Sequence, residues 1–279
     1  MTSSQSITQA DYWNDQAGPK WVEHADALDA MLKPYLDELI KRAKLTASDR
    51  VLDIGCGAGA LTLAAAEQAS HATGVDVSEP LLDLANRRSD GLASVDFLHA
   101  DAATLTLKGA TPYDVVISRF GVMFFDDPVS AFANIKALTS RPASLIFVCW
   151  RAPQFNPWAT LPMQVAAPLL REPLPTPDPT KPGPFAFADR GRLRSILTEA
   201  GWPNIEINAV DVDMVLPGDS ASEAASFMLK MGPLSTLLEK SGLSPDTVFT
   251  SLTDALSSHG RADGRVACGG SAWIVEASV

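Results

Sequence analysis

The run Val51–Gly59, VLDIGCGAG, constrains the fold of this chain more than any other segment. A short apolar strand ending in Asp53 passes through Gly55, Gly57 and Gly59 and enters a helix-forming stretch, ALTLAAAEQ. Glycines permit the tight turn and let a ligand approach bare backbone. The helix that follows aims its first N–H groups at the same place. A glycine loop alone also serves ordinary turns, so its meaning rests on its neighbours. Asp76 lies 21 residues after Gly55, at the end of the next apolar run, TGVDV. That is where a carboxylate meets a ribose diol in a doubly wound sheet. A third acid, Asp101, follows a third such run in FLHADA. All three acids fall at strand C-termini, the edge where open α/β sheets bind ligands.

The surrounding pattern supports such a sheet. Strands are predicted at Arg50–Ile54, Ala72–Val77, Val95–His99, Tyr113–Ser118 and Ser144–Trp150. Helices are predicted between them at Leu61–Ala69, Pro80–Arg88 and Pro128–Leu138. Near-continuous apolar strands alternating with helices imply a parallel sheet covered on both faces. Upstream, residues 11–45 read as helical, with Leu28, Met31, Leu32, Tyr35, Leu36, Leu39 and Ile40 at three- and four-residue steps, and with a break or kink expected at Pro34. Composition shifts at Arg151: ten of the twenty prolines fall between 151 and 184. A helix is predicted over Pro157–Leu170, an extended loop over Arg171–Pro184, a helix over Arg190–Ala200 and a strand over Ile205–Leu216. Residues 219–258 read as two or three helices broken at Gly232-Pro233 and Gly242–Pro245, and Ala272–Ala277 as a last strand. The chain thus divides into an N-terminal helical cover (1–45), a core (46–150) and a remainder (151–279) carrying further strands and cap inserts.

The ordered set VLDIGCGAG, GVDVSEPLLDLA, FLHADA and YDVVISRFGVMFF resembles the class I S-adenosylmethionine-dependent methyltransferases, over roughly residues 10–150 and more weakly to the final strand. The loop reads G-x-G-x-G where dehydrogenases carry G-x-G-x-x-G, which disfavours NAD. The resemblance implies a Rossmann-like, doubly wound α/β sheet of seven strands in the order 3-2-1-4-5-7-6, the last inserted antiparallel, under a helical cap. It implies S-adenosylmethionine as cofactor. Gly55, Gly57 and Gly59 would line its methionyl part, with Asp53 near the amino group through water or backbone. Asp76 would bind both ribose hydroxyls. Val77 would pack on the adenine, Asp101 would accept from the adenine amino group, and Ala102 would offer its backbone N–H. Ser118, Arg119 and Phe120 would close the pocket over the methionine, and Trp13 and Trp21 would cover the cofactor from the N-terminal helices.

Methyl transfer from a sulfonium needs position and electrostatics more than a fixed catalytic group. A base is required only when the nucleophile must lose a proton. The candidates are His24, one helical turn after Trp21 and able to share its pocket, and Arg119, able to orient an anion. The alternatives are a packing histidine and an arginine paired with Asp126 or Asp127. His99 reads as structural, turned to a neighbouring helix, and His71 and His259 as loop residues. Cys56 reads as packing.

Aromatic and Met residues gather in Phe120–Phe125, Trp150–Met163, Phe185–Phe187 and at Phe227, Met228 and Met231. Much of this is core, but its concentration in inserts above the cofactor edge suggests an apolar lid and a small, largely hydrophobic acceptor. A net charge of −11, from 22 Lys+Arg against 33 Asp+Glu, argues against a nucleic-acid partner. No apolar run reaches the ~18 residues of a membrane span. Three scattered cysteines give neither a disulfide framework nor a metal-ligand spacing, so no metal is expected and a reducing, cytoplasmic setting fits. A homodimer is compatible with the pattern without being demanded by it. Two other readings share the cofactor: an enzyme of this fold catalysing cyclisation, elimination or substitution, and a non-catalytic cofactor-binding module.

Overall fold

A computed structural model describes residues 8–106, 109, 111–170 and 178–279. Seven strands form one sheet in the order β3-β2-β1-β4-β5-β7-β6. They are β1 (Arg50–Ile54), β2 (His71–Asp76), β3 (Val95–His99), β4 (Tyr113–Arg119), β5 (Thr139–Trp150), β6 (Glu206–Val215) and β7 (Ala267–Ser278). The first five are parallel, and β7 runs antiparallel between β5 and β6. This is the order that the resemblance implies.

The apolar strands are apolar because both faces are covered. Val51, Leu52, Ile54, Val116 and Ile117 are all but sealed from solvent. Each such side chain contributes about 1.5–3 kcal/mol relative to exposure. The N-terminal cover comprises α1 (Gln9–Asp11), a π-helical turn at Tyr12–Gln16, α2 (Ala17–Glu23) and α3 (Ala25–Ala43). Then come α4 (Ala60–Ala66), α5 (Glu79–Arg88) and α6 (Pro128–Ala137), followed by α7 (Pro157–Ala166) and α8 (Arg190–Glu199). The last three helices, α9 (Ala221–Lys230), α10 (Pro233–Ser241) and α11 (Pro245–Ser257), break at the two Gly/Pro sites expected, and they pack with α7 as a cap. The two sheet faces separate along β5: Phe147 stacks on Phe132 of α6, whereas Trp150 meets Tyr35 of α3.

Several expectations are corrected. Helix α3 runs on through Pro34, and the break lies at His24, whose φ of −111° and ψ of 15° leave helical geometry. Met31, Leu32, Tyr35 and Leu39 are buried on both sides of the proline, and that packing outweighs the one lost hydrogen bond. β7 is twice the predicted length, because Cys268, Gly269 and Gly270 pair with Met214, Asp213 and Val212 despite their weak strand preference. His71 opens β2 and contacts Asp96 at 2.9 Å rather than lying in a loop. The predicted loop over Arg171–Pro184 lies outside the described residues as far as 177. No helix among the described residues is long and apolar enough to cross a membrane.

Candidate functional site

The C-terminal ends of β1, β2 and β4 meet in a small space because two backbones touch. A Cβ on Gly121, after β4, would stand 2.5 Å from the Ile54 carbonyl oxygen and 2.8 Å from Gly55 Cα. Only glycine fits on either side of that contact. Gly57 differs: with φ +54°, a Cβ there would meet nothing within 4 Å. Its bare backbone faces open space, as a ligand cradle requires. Gly59 serves packing instead, since a Cβ would stand 2.7 Å from the ring of Phe97.

Two of the three acids flank this loop, each held differently. Asp76 accepts from Gly57 N–H at 2.8 Å through Oδ2 and from Ser78 N–H at 2.8 Å through Oδ1. Its carboxylate therefore ties the end of β2 to the open glycine, and burial raises its pKa against those hydrogen bonds. Asp53 is 1 % exposed, with Oδ2 accepting from Thr62 Oγ1 at 2.7 Å. Its Oδ1 has no partner among the described residues. Burial pushes its carboxyl up to about 7, with Thr62 and Arg119 pulling the other way. Asp101 is exposed and closes an Asx turn by accepting from Ala103 N–H, while Ala102 is buried. Val77 is half-buried, its carbonyl accepting from Asn14 Nδ2 at 2.8 Å and lying 3.0 Å from His99 Nε2. His99 is exposed on edge strand β3, not turned to a helix.

Past β4, Ser118 is fully buried and donates to the Ile54 carbonyl, so its hydroxyl clips β4 to β1. Phe120 has φ +63°, an uncommon conformation for a bulky residue, and its ring stacks on Trp150 at 4.0 Å. Arg119 pairs with neither Asp126 nor Asp127. Its Nη2 donates to Asp29 of α3 at 2.6 Å, while Nη1 is buried with no partner among the described residues. Asp127 is instead occupied capping α6 through Ser130. Arg88 completes the group, donating to the other Asp29 oxygen, to Asp26 and to the carbonyl of Ala58 in the glycine loop. Asp26 and Asp29, one turn apart, signal a shared cation in the sequence, but nothing local says which one.

The N-terminal cover docks on the same loops. Ser78 Oγ donates to the Trp13 carbonyl, and Asn14 accepts from Glu79 N–H. Trp13 packs edge-on against both Trp21 and Phe124. His24 packs on Phe227 of α9 and borders a surface depression of about 280 Å³ with Val22, Asp26 and Leu84, whose lining does not include Trp21. A row of rings, Tyr35, Phe120, Trp150, Trp158 and Phe185, runs from α3 across the sheet edge to the segment before α8. Asn14, Asp29, Arg88, Gly121 and Tyr35 belong to this site and were not singled out as site residues from sequence. Among the described residues, no group of three His, Cys, Asp or Glu side chains is arranged to hold a metal ion.

Residues 51–141 match the family profile of a methyltransferase domain. The chain is 35% identical over 117 residues to a ubiquinone biosynthesis O-methyltransferase of Aromatoleum aromaticum, covering 42% of this chain and 50% of that one. It is 30% identical over 103 residues to a demethylmenaquinone methyltransferase of Clavibacter sepedonicus, covering 37% and 41%. The chain thus spans about half the length of the curated relatives it matches. Among solved structures, it is similar to phosphoethanolamine N-methyltransferase 2 of Haemonchus contortus in complex with S-adenosyl-L-methionine, with TM-score 0.58 and 16% identity, covering 99% of this chain and 60% of that one. It is also similar to the YcgJ protein of Bacillus subtilis, with TM-score 0.56 and 15% identity, covering 88% and 98%. The strand order, the glycine loop between Asp53 and Asp76, and the profile match agree in placing a region similar to a methyltransferase domain at residues 51–141 of this sheet.

Proposed function

We propose that this chain transfers a methyl group from S-adenosylmethionine to a small, largely hydrophobic acceptor. The observation that carries the reading is the open cradle at Gly57, flanked by Asp76 and by a buried carboxylate, Asp53, with one unpaired oxygen. A ligand with hydroxyl donors and a cationic head suits that set. The bound cofactor would supply an electrophilic methyl on a sulfonium. The residues of the chain would do the rest. Asp76 would orient the ribose diol, Val77 and Ala102 would flank the adenine, and Asp101 would accept from its amino group. Phe120 would wall the methionine side, and Trp13 and Trp21 would exclude water from above.

The curated relatives match less than half of this chain, so the acceptor is inferred from the residues of this chain. The row Phe120, Trp150, Trp158 and Phe185 supports a flat apolar acceptor. In this reading residues 1–45 are the cover, 46–150 the cofactor-binding core and 151–279 the sheet remainder with the substrate cap. The acidic balance disfavours nucleic acid, and three buried free cysteines suit the cytoplasm. His24, on the cap side against Phe227, is assigned no step.

Calorimetric titration of the cofactor-stripped protein tests the first half: saturable one-to-one binding of S-adenosylmethionine is expected, with no binding of NAD. A screen of small aromatic acceptors for S-adenosylhomocysteine release tests the second. Turnover of an acceptor without S-adenosylhomocysteine would point to the non-methylating chemistry, and tight binding with no turnover of any acceptor to a binding module.

A further inference from the structure

We propose that Arg151 heads a second ligand site, at the β5–β7–β6 end of the sheet edge, that takes a flat organic carboxylate of single negative charge. The site is separate from the glycine loop. Arg151 follows β5, and its backbone N–H donates to the Ser271 carbonyl of β7. Its guanidinium lies over two rings, 4.2 Å from the centre of Phe155 and 4.6 Å from that of Trp273. Both of its side-chain bonds to described residues leave from Nη1, to Ser271 Oγ at 2.9 Å and to Asp211 Oδ1 at 3.3 Å. Nε is buried with no partner among the described residues. Nε–H and one Nη2–H point the same way and form a planar two-donor fork, whose matching partner is a carboxylate. A buried donor without an acceptor is costly, and this one is half of an unused fork.

The surroundings say what the fork would hold. Arg151 lines a cleft of about 510 Å³ with Gln154, Phe155, Pro157, Asp213 and Gly269. Of the two rings on the guanidinium, Trp273 is fixed, its Nε1 donating to the Ala188 carbonyl. Phe155 ends the short helical turn Pro153–Phe155 and is 47 % exposed. It is the ring free to shift aside for a ligand and then to lie against an apolar body. A second cation converges on the same place. Arg190, at the start of α8, lies 5.9 Å over the Trp273 ring, exposed and with no ion pair among the described residues. Two guanidiniums gathered on one indole, one of them without a counter-charge, favour an anion. Asp211 and Asp213 limit its charge. They stand opposite Ser271 and Gly269 in the β6–β7 ladder, so both project from one face. Asp211 is already engaged by Arg151 and Ser271, whereas Asp213 faces the cleft. Two cations against two anions accept one added negative charge and resist a second. A carboxylate on an apolar ring meets these conditions, and a phosphate does not.

The site does not depend on the methyl-transfer reading and is tested without cofactor. Benzoate, its neutral isostere benzamide and inorganic phosphate are titrated into the full chain while the Arg151 Nε–H resonance is followed by NMR. Benzoate should shift that resonance saturably, with benzamide and phosphate weaker by about ten-fold or more, the scale of a lost hydrogen bond to a charged group. Arg151→Lys keeps the charge and loses the fork, and should weaken benzoate by about ten-fold, read from the ligand's own signals. Arg190→Gln should weaken it by about two- to five-fold, the range for an exposed charge pair, and Asp213→Asn should strengthen it. Should Arg151→Lys fail to fold, the wild-type ligand series and the exposed Arg190→Gln still decide. Benzoate that left the Nε–H resonance in place, or bound no better than benzamide, would overturn the site. Phosphate bound as tightly as benzoate would overturn the assignment to a singly charged carboxylate.

Discussion

Asp53 carries a cost that has a measurable sign. Its carboxyl is raised in the folded chain from 3.8 to about 7 by burial. The folded state therefore holds a proton that the unfolded state has released across that window. Stability from this group is full below the unfolded pKa and is lost as pH rises through about 7. The charges bearing on it are Arg119 from β4 and Asp76 from β2, with the buried Cys56 thiol beside them in the loop. Asp53→Asn removes the charge and keeps an acceptor for Thr62. The ligand-free variant should melt several degrees above wild type at pH 8, with the gap shrinking steadily as pH falls and closing only below about pH 4, measured by calorimetry. A cationic ligand reverses the logic by favouring the ionised carboxylate. Wild-type affinity for S-adenosylhomocysteine should therefore rise between about pH 6 and 7.5, below the range where an α-amino group loses its own proton. Asp76 has both oxygens already engaged by backbone N–H groups. Asp76→Ala should cost about 1.5–3 kcal/mol of cofactor binding, with additional loss of order in the Gly57 turn. Cofactor affinity equal to wild type in that variant would remove Asp76 from the ribose assignment.

At the scale of elements, the glycine loop works because β4 delivers a second glycine against it. Gly121→Ala would place a methyl 2.5 Å from the Ile54 carbonyl and force β1 and β4 apart at their ligand edge. The expected cost is about 1–3 kcal/mol in chemical denaturation, with a larger proportional loss in cofactor affinity. Gly57→Ala meets no neighbour, and its penalty should come from the φ of +54°. The strands and helices of the core were legible because apolar runs and glycine punctuation act locally. β1 and β3 fall where the pattern puts them, and α9–α11 break at Gly232 and Gly242 as expected. What was not legible depends on distant partners. Nothing near Pro34 announces that Tyr35 will pack edge-on against the stacked Phe120 and Trp150 and carry α3 through the proline. Nothing near Arg119 points 90 residues back to Asp29. The acids of the site could be read because they sit at fixed places on strands, whereas the cations that organise them could not.

Across the whole molecule, two layers close on one sheet edge from opposite ends of the chain. The cover reaches the cofactor loops through Trp13, Asn14 and Ser78, and it reaches the cap through an ion pair of Lys20 with Glu239. Both partners of that ion pair are substantially exposed, so it adds little stability by itself. The packing of Trp13 on Phe124 and of His24 on Phe227 carries the closure. The row of rings from Phe120 to Phe185 lies on the cap side of the same edge. If this division of labour is right, the two halves should separate in kinetics. Trp13→Ala should weaken cofactor binding, since it opens the layer above Val77 and Ser78. Trp158→Ala should leave cofactor affinity within about two-fold of wild type, because additivity holds for sites without shared partners. It should instead raise KM for whichever acceptor the S-adenosylhomocysteine screen returns, by roughly ten-fold or more for the loss of one aromatic contact face. Equal loss of cofactor binding in both variants would mean that the rings form one core around the cofactor and that the acceptor lies elsewhere on the cap.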